Sequence, residues 1–285
     1  MVSPPATCEH TRKRRRPRGA LRSSLLCAGR DRKAPQVRLA HRAAAPTGLD
    51  EQCEHVCSFI EAEKEEIESR RGRDSTTSIL LIGHSIGAYV AFSAASRAGL
   101  DGGQIGGMDM RAIGLMPFLE HNELPEFRSK VRAATAWWSP ALFVLLSAVA
   151  GVVGALPKML KTWLLRRVEK DASRLGPEMV ELSVEALPRF STLYNILALF
   201  RTEAQLLAPP YDHAALTQKM SGKYALLYAG GDSDVWAPSS SVERARAQGV
   251  HVTVEEGVPH AFSIAAASRK RVVQIMCAML ESMPK

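Results

Sequence analysis

Paired cysteines are missing from this chain. The five thiols, Cys8, Cys27, Cys53, Cys57 and Cys277, are odd in number and show no paired spacing, which argues against a disulfide framework and for a reducing compartment. The N-terminal region lacks the uninterrupted apolar stretch of a secretory signal. No DNA- or RNA-binding motif is present, although the formal charge of +8 invites one. That charge is local. Residues 1–45 hold twelve Lys/Arg against two Asp/Glu, a net of +10, so the other 240 residues sum to −2. A neutral body with a basic arm gives no reason to expect a nucleic-acid partner. A phosphate loop is missing too. Gly102-Gly103-Gln104-Ile105-Gly106-Gly107 has no following Lys-Ser/Thr and does not open a helix directly after a strand, so it reads as a surface loop. Cys53-x-x-x-Cys57 with His55 between looks like a metal motif. On a helix, however, position 55 faces away from the two thiols and no second ligand pair follows, so no metal site is expected.

What is present is a chain able to bury a core, with 46% apolar and 23% charged residues, long enough for one large domain or a domain plus an insertion. Residues 1–35 form a basic arm running through Arg12-Lys13-Arg14-Arg15-Arg16. It suits a transit segment, a surface-binding tail or sequence outside the domain, and its composition reads as disordered. From residue 36 to 285 the pattern is that of an α/β domain. Gln36–Ala40 alternates like a short strand, and Glu51–Arg70 carries Val56, Phe59, Ile60 and Ile67 at helical spacing. Ser78–Ile82 is a continuous apolar run, as expected of a strand covered on both faces. The Ala-rich stretch Ile86–Arg97 reads as a helix. Further strands are expected at Ala112–Met116, Tyr224–Tyr228 and Val250–Val254, and a last amphipathic helix at Arg269–Met283. Strands alternating with helices predict a mainly parallel sheet. Residues 117–210 show no strand pattern and read as a helical cap inserted over one end of that sheet.

Gly83-His84-Ser85-Ile86-Gly87 fits G-x-S-x-G between the apolar strand and the Ala-rich helix. That strand-to-helix context makes the motif specific. A turn this tight strains the central residue, lifts its hydroxyl above the sheet and sets it beside a helix N-terminus that favours negative charge. The flanking glycines are expected to relieve the crowding. A serine needs a base, and the base needs an orienting acid. In this fold the chain order is Ser, Asp/Glu, His. Asp234, in Gly231-Asp232-Ser233-Asp234-Val235-Trp236, follows the Tyr224–Tyr228 strand and is preferred over Asp232, a turn residue. His260 follows the Val250–Val254 strand and takes the place of the base. Among the other histidines, His84 shapes or packs the elbow, His121 and His213 belong to the insertion, and His251 lies within a strand.

The run Ile79-Leu80-Leu81-Ile82-Gly83-His84-Ser85-Ile86-Gly87-Ala88-Tyr89 resembles the nucleophile segment of the lipid droplet-associated hydrolase family. Leu49-Asp50-Glu51-Gln52-Cys53-Glu54-His55 is similar to its helix before the elbow. Asp234-Val235-Trp236-Ala237-Pro238 resembles its acid motif and Pro259-His260-Ala261-Phe262 its histidine motif. The resemblance spans about residues 36–285 and is loose in the insertion. It implies an α/β-hydrolase-like fold and the triad Ser85, Asp234 and His260. One oxyanion donor is then the N–H of Ile86. The second would come from an earlier glycine-rich loop, yet residues 1–45 hold nothing like that family's Pro-Gly-Asn-Pro-Gly segment. The sheet is therefore expected to be N-terminally truncated, with the strand beside the nucleophile strand missing. Losing an oxyanion donor costs about 3 kcal/mol of transition-state stabilisation.

Residues 133–157 carry no charge, with Trp137-Trp138 at one end and Lys158, Lys161, Arg166 and Arg167 beyond the other. Pro140, Gly151, Gly154 and Pro157 break the apolar run. Aromatic and basic flanks around a broken apolar segment suit insertion into one leaflet, with a buried cap helix and a full span as the alternatives. Taken together, these features predict a carboxylic ester hydrolase acting on lipid esters. It would dock on a lipid-droplet monolayer or membrane surface through about 133–168, without metal or organic cofactor, at droplets and at the endoplasmic reticulum or in the cytoplasm. A non-catalytic droplet-surface protein in lipid storage and an acyltransferase using the same triad are the competing readings.

Overall fold

In the computed structural model of the chain the described residues are 48–71, 78–97, 104–105, 108–122, 124–168, 177–230, 236 and 238–284, all within the unit Ala44–Lys285. The basic arm, the run at 36–40 and the acid candidates Asp232 and Asp234 lie outside them. Helix α1 spans Leu49–Arg71. It buries Leu49, Cys53 and Ile60, with Val56 and Cys57 partly covered, a stripe at helical spacing. Phe59, expected on that face, is 49% exposed. It sits one residue, about 100° of helix, away from Ile60.

The sheet is built from β1 (Ser78–His84), β3 (Met108–Leu115), β4 (Tyr224–Ala229) and β5 (His251–Glu255), parallel and in that spatial order. Helix α2 (Ile86–Arg97) crosses from β1 to β3. A two-residue strand, β2 (Gln104–Ile105), pairs antiparallel with the start of β3. The glycine-rich stretch read as a loop therefore carries a strand, too short for alternation to reveal it.

Strands β3 and β4 are covered on both faces, and their side chains divide by parity. Met110, Ala112, Tyr224, Leu226 and Tyr228 enter the core that contains Ala88, Ala91, Phe92 and Ala95 of α2. Ile113, Leu115, Ala225 and Leu227 enter the core formed with Val272, Ile275, Met276 and Met279 of the last helix, α10 (Ala266–Ser282). Gly114 lets Phe92 approach the sheet, because a Cβ there would stand 2.9 Å from both Phe92 Cζ and Leu226 Cδ2. β1 is different. It pairs with β3 over its full length, but among the described residues no strand pairs with its other edge. Ile79 and Leu81 pack against the core on the α2 side and Leu80 against the core on the α10 side, so both faces of β1 are partly covered, although Ile82 is 44% exposed.

Between β3 and β4 come α3 (Pro125–Thr135), α4 (Ser139–Gly154), α5 (Lys158–Val168), α6 (Pro177–Glu185), α7 (Phe190–Leu206) and α8 (His213–Lys219). α4 and α3 both pack on α7. Gly154 closes α4 where the chain passes Pro188, since a Cβ there would lie 1.9 Å from the Pro188 carbonyl oxygen. Among the described residues no single helix is long and apolar enough to cross a membrane; α3 and α4 pass that test only together, with a bend of 93° between them. Helix α9 (Ser239–Ala247) leads to β5, and a short 3-10 turn, Phe262–Ile264, leads to α10.

Candidate active site

Ser85 occupies the turn between β1 and α2 with φ at +54°, a left-handed conformation that a non-glycine residue adopts only when its surroundings impose it. Three backbone bonds do so. The Ser85 N–H donates to the Leu115 carbonyl at 3.0 Å, while the Ser85 carbonyl accepts from Ala88 N–H at 3.0 Å and Phe118 N–H at 3.1 Å. The neighbouring strand repeats the device, with Met116 at φ +43° donating to the Leu227 carbonyl at 2.6 Å.

The two glycines of the elbow serve different ends. A Cβ on Gly83 would stand 2.4 Å from Ala88 Cα and from the Gly87 carbonyl oxygen, so the first turn of α2 can fold back on the strand only over a glycine. A Cβ on Gly87 would meet nothing within 4 Å. The expectation that both flanking glycines relieve crowding is corrected: Gly83 does and Gly87 does not, because Gly87 already lies in α2 and points into open space. Ile86 is the first residue of α2, where a backbone N–H has no partner inside its own helix. It stands beside the serine, as the donor of an oxyanion hole must.

His260 lies in the turn after β5. Its Nε2 is 3.0 Å from Ser85 Oγ, within the range in which an imidazole can take a proton from a hydroxyl. Two residues 175 apart in sequence are thus brought together. His84 Nε2 is 3.0 Å from the His260 main-chain oxygen. Phe262 stands edge-on to the His84 ring, with centroids 4.9 Å apart. The Trp236 ring lies 6.1 Å from that of His260 and is itself seated among Phe118, Phe127 and Phe200. The acid candidates Asp232 and Asp234 lie outside the described residues; β4, which leads to them, ends at Ala229.

Four other titratable groups were not singled out as site residues from sequence. Glu120, 5% exposed, accepts from Tyr211 N–H at 2.9 Å, from the Ser241 hydroxyl and from the Arg244 guanidinium. It joins the segment after β3 to α9 and to the loop before α8. His213 is fully buried, its Nδ1 2.8 Å from the Tyr224 hydroxyl, and loss of hydration lowers its pKa to about 4. Burial also lowers the pKa of His121. Glu203, on α7 one turn after Phe200, is 7% exposed, and desolvation raises its carboxyl pKa to about 7. None of the four carries a sequence motif. Among the described residues no group of His, Cys, Asp and Glu is placed to hold a metal ion.

The sequence pattern described as lipid-droplet associated hydrolase matches residues 25–263. The chain belongs to the lipid-droplet associated hydrolase family. The fold agrees with that membership. A solved structure similar to it is the peroxisomal α/β-hydrolase Lpx1 of Saccharomyces cerevisiae, at a TM-score of 0.50 and 12% identity, over 84% of this chain and 62% of that one. The chain thus spans less than two thirds of the length of that relative. An α/β-hydrolase family protein of Desulfitobacterium hafniense matches at a TM-score of 0.41 and 14% identity, over 84% of this chain and 80% of that one. No curated protein sequence matches the chain. At 12% identity the likeness to Lpx1 is one of fold: an α/β-hydrolase-like parallel sheet flanked by helices.

Proposed function

We propose that this member of the lipid-droplet associated hydrolase family hydrolyses carboxylic esters of lipids at a droplet or membrane surface, with Ser85 as nucleophile and His260 as base. The observation that carries the reading is the 3.0 Å approach of His260 Nε2 to Ser85 Oγ at a serine held at φ +54°. His260 takes the hydroxyl proton as Oγ attacks the acyl carbonyl, then returns it to the departing alkoxide. Water attacks the acyl-enzyme with the same histidine as base, releasing the acid and restoring the serine. Asp234 is assigned to orient the imidazole, from its position in the chain after β4. The Ile86 N–H is assigned to the oxyanion.

A fluorophosphonate probe tests the nucleophile directly. Labelling of the wild-type protein that is absent from Ser85→Ala supports the reading. A folded protein that takes no label sinks it, and favours a non-catalytic surface protein. Product analysis with a lipid alcohol present separates hydrolysis from acyl transfer.

The surface part of the reading draws on the cap. Trp137, Leu145, Val149, Val152, Met159 and Trp163 are 89%, 60%, 54%, 70%, 87% and 54% exposed, a run of large apolar side chains on α4, α5 and the turns beside them. Arg166 and Arg167 follow in the last turn of α5. Apolar side chains with basic neighbours suit a phospholipid monolayer, where the burial of each large side chain contributes about 1.5–3 kcal/mol. Leu145→Glu with Val152→Glu alters only exposed positions and leaves the core intact. Flotation with triacylglycerol droplets coated in phosphatidylcholine and phosphatidylserine is expected to fall at least tenfold, by the same area argument. Unchanged flotation would remove α4 from the docking surface.

A further inference from the structure

His84 has no part in the proton path set out above, yet it is the sequence neighbour of the nucleophile and a spatial neighbour of the base. Its Nε2 is 3.0 Å from the main-chain oxygen of His260. A carbonyl oxygen only accepts, so Nε2 carries the hydrogen, and the bond fixes the tautomer of His84. The ring is steadied by Phe262, which meets it edge-on at 85°, and it lies 5.5 Å from the His260 ring at an angle of 47°. His84 ends β1, while His260 lies in the turn after β5, and these strands stand at the two ends of the order β1-β3-β4-β5. The bond therefore ties the first strand of the described sheet to the turn beyond the last, across 176 residues of sequence.

That tie bears on one distance. The His260 ring is carried by a turn rather than by a strand or helix, so the position of its Nε2 depends on where its own backbone is held. We propose that His84 is a positioning residue. Its Nε2–H holds the His260 main-chain oxygen and so keeps His260 Nε2 within hydrogen-bond reach of Ser85 Oγ. The inference rests on the reading of Ser85 and His260 as nucleophile and base. It makes the residue before the serine a support for the base as well as part of the elbow. A base must stay within about 2.6–3.2 Å of the proton it takes. Displacement by about 1 Å can cost on the order of a hundredfold.

The experiment compares wild-type full-length protein with His84→Leu, which keeps an apolar contact for Phe262 but has no donor, and His84→Gln, whose terminal amide offers an N–H at a similar reach. Rates of Ser85 labelling by a fluorophosphonate are measured alongside kcat and KM for p-nitrophenyl butyrate and thermal melting. His84→Leu is expected to label at least about tenfold more slowly, the loss appearing in kcat with KM within about twofold, and His84→Gln to recover most of that rate. If His84→Leu does not fold, His84→Asn, whose shorter amide falls short of His260, is judged by the same criterion. Wild-type labelling with an undiminished rate in the donor-less variant overturns the proposal. So does an equal loss in His84→Leu and His84→Gln, which would tie the effect to packing instead of the hydrogen bond. A folded wild-type protein that takes no label overturns the hydrolase reading itself, and this role with it, a result visible before any substitution at position 84.

Discussion

At the scale of single residues, the two glycines of the elbow make opposite predictions although the motif treats them alike. Gly83→Ala drives a methyl into backbone atoms at 2.4 Å. Backbone at that distance can yield only by moving α2 off the strand. A loss of about 3 kcal/mol or more is expected, as for other steric insults to a packed site, read as a fall in the urea midpoint. Gly87→Ala places its methyl in open space within a helix, where alanine is favoured over glycine by up to about 1 kcal/mol. Its urea midpoint should stay level or rise. A fall comparable to that of Gly83→Ala would mean the two positions are equivalent after all. The strained serine between them was legible as a position, because G-x-S-x-G sits between an apolar run and an Ala-rich one. Which glycine is indispensable was not legible, since it depends on how closely the helix folds back.

At the scale of elements, the Glu120 carboxylate holds together pieces of chain that share no sequence pattern. It meets α9 through Ser241 and Arg244, and the loop before α8 through the Tyr211 N–H. Glu120→Ala would leave the Tyr211 N–H and the partly exposed Arg244 without this partner, at an expected cost of about 1–3 kcal/mol. Glu120→Gln, which keeps one carbonyl oxygen, should cost less. Urea unfolding of the two variants checks the order, and a Glu120→Ala protein as stable as wild type would show that the network contributes nothing. The strands and main helices were readable in the sequence because each imposes a period on its apolar residues. The parity of β3 and β4 and the stripe of α1 are such periods. Three features escaped that logic. β2 is two residues long, Phe59 lies one residue off the buried stripe, and Glu120 ends an apolar run, with partners 91 to 124 residues away. Contacts of that range leave no periodic trace. For the same reason, Ser85 and His260 could each be placed at the end of a strand, while the distance between them could not be read.

At the scale of the whole molecule, two buried groups oppose one another in pH. The Glu203 carboxyl has its folded pKa raised to about 7 by desolvation. The folded state therefore binds the proton more tightly than the unfolded chain does, and stability is lost as pH rises from the ordinary carboxyl range through about 7. His213, lowered to about 4 by the same cause, works the other way, losing stability as pH falls from its ordinary range towards 4. Each shift corresponds to roughly 3 kcal/mol at full extent. Glu203→Gln removes one side of the balance. The variant should match wild type at pH 4 and exceed it by roughly 2–3 kcal/mol at pH 8, measured by urea unfolding across that interval. A constant difference at every pH would mean that Glu203 does not titrate in the fold.

The contact between Ser85 and His260 has a consequence for how the protein is made. Its two partners stand 175 residues apart, with the cap and strands β2 to β5 between them. Closing so long a loop costs entropy that only the assembled sheet can offset. A chain emerging from the ribosome therefore carries Ser85 through the synthesis of α3 to α9 without His260 beside it. The pair is completed only when β5 docks. If Ser85 is the nucleophile, as proposed, its reactivity is a late event in the life of the polypeptide, and a time course of labelling during refolding would clock the arrival of the final strand.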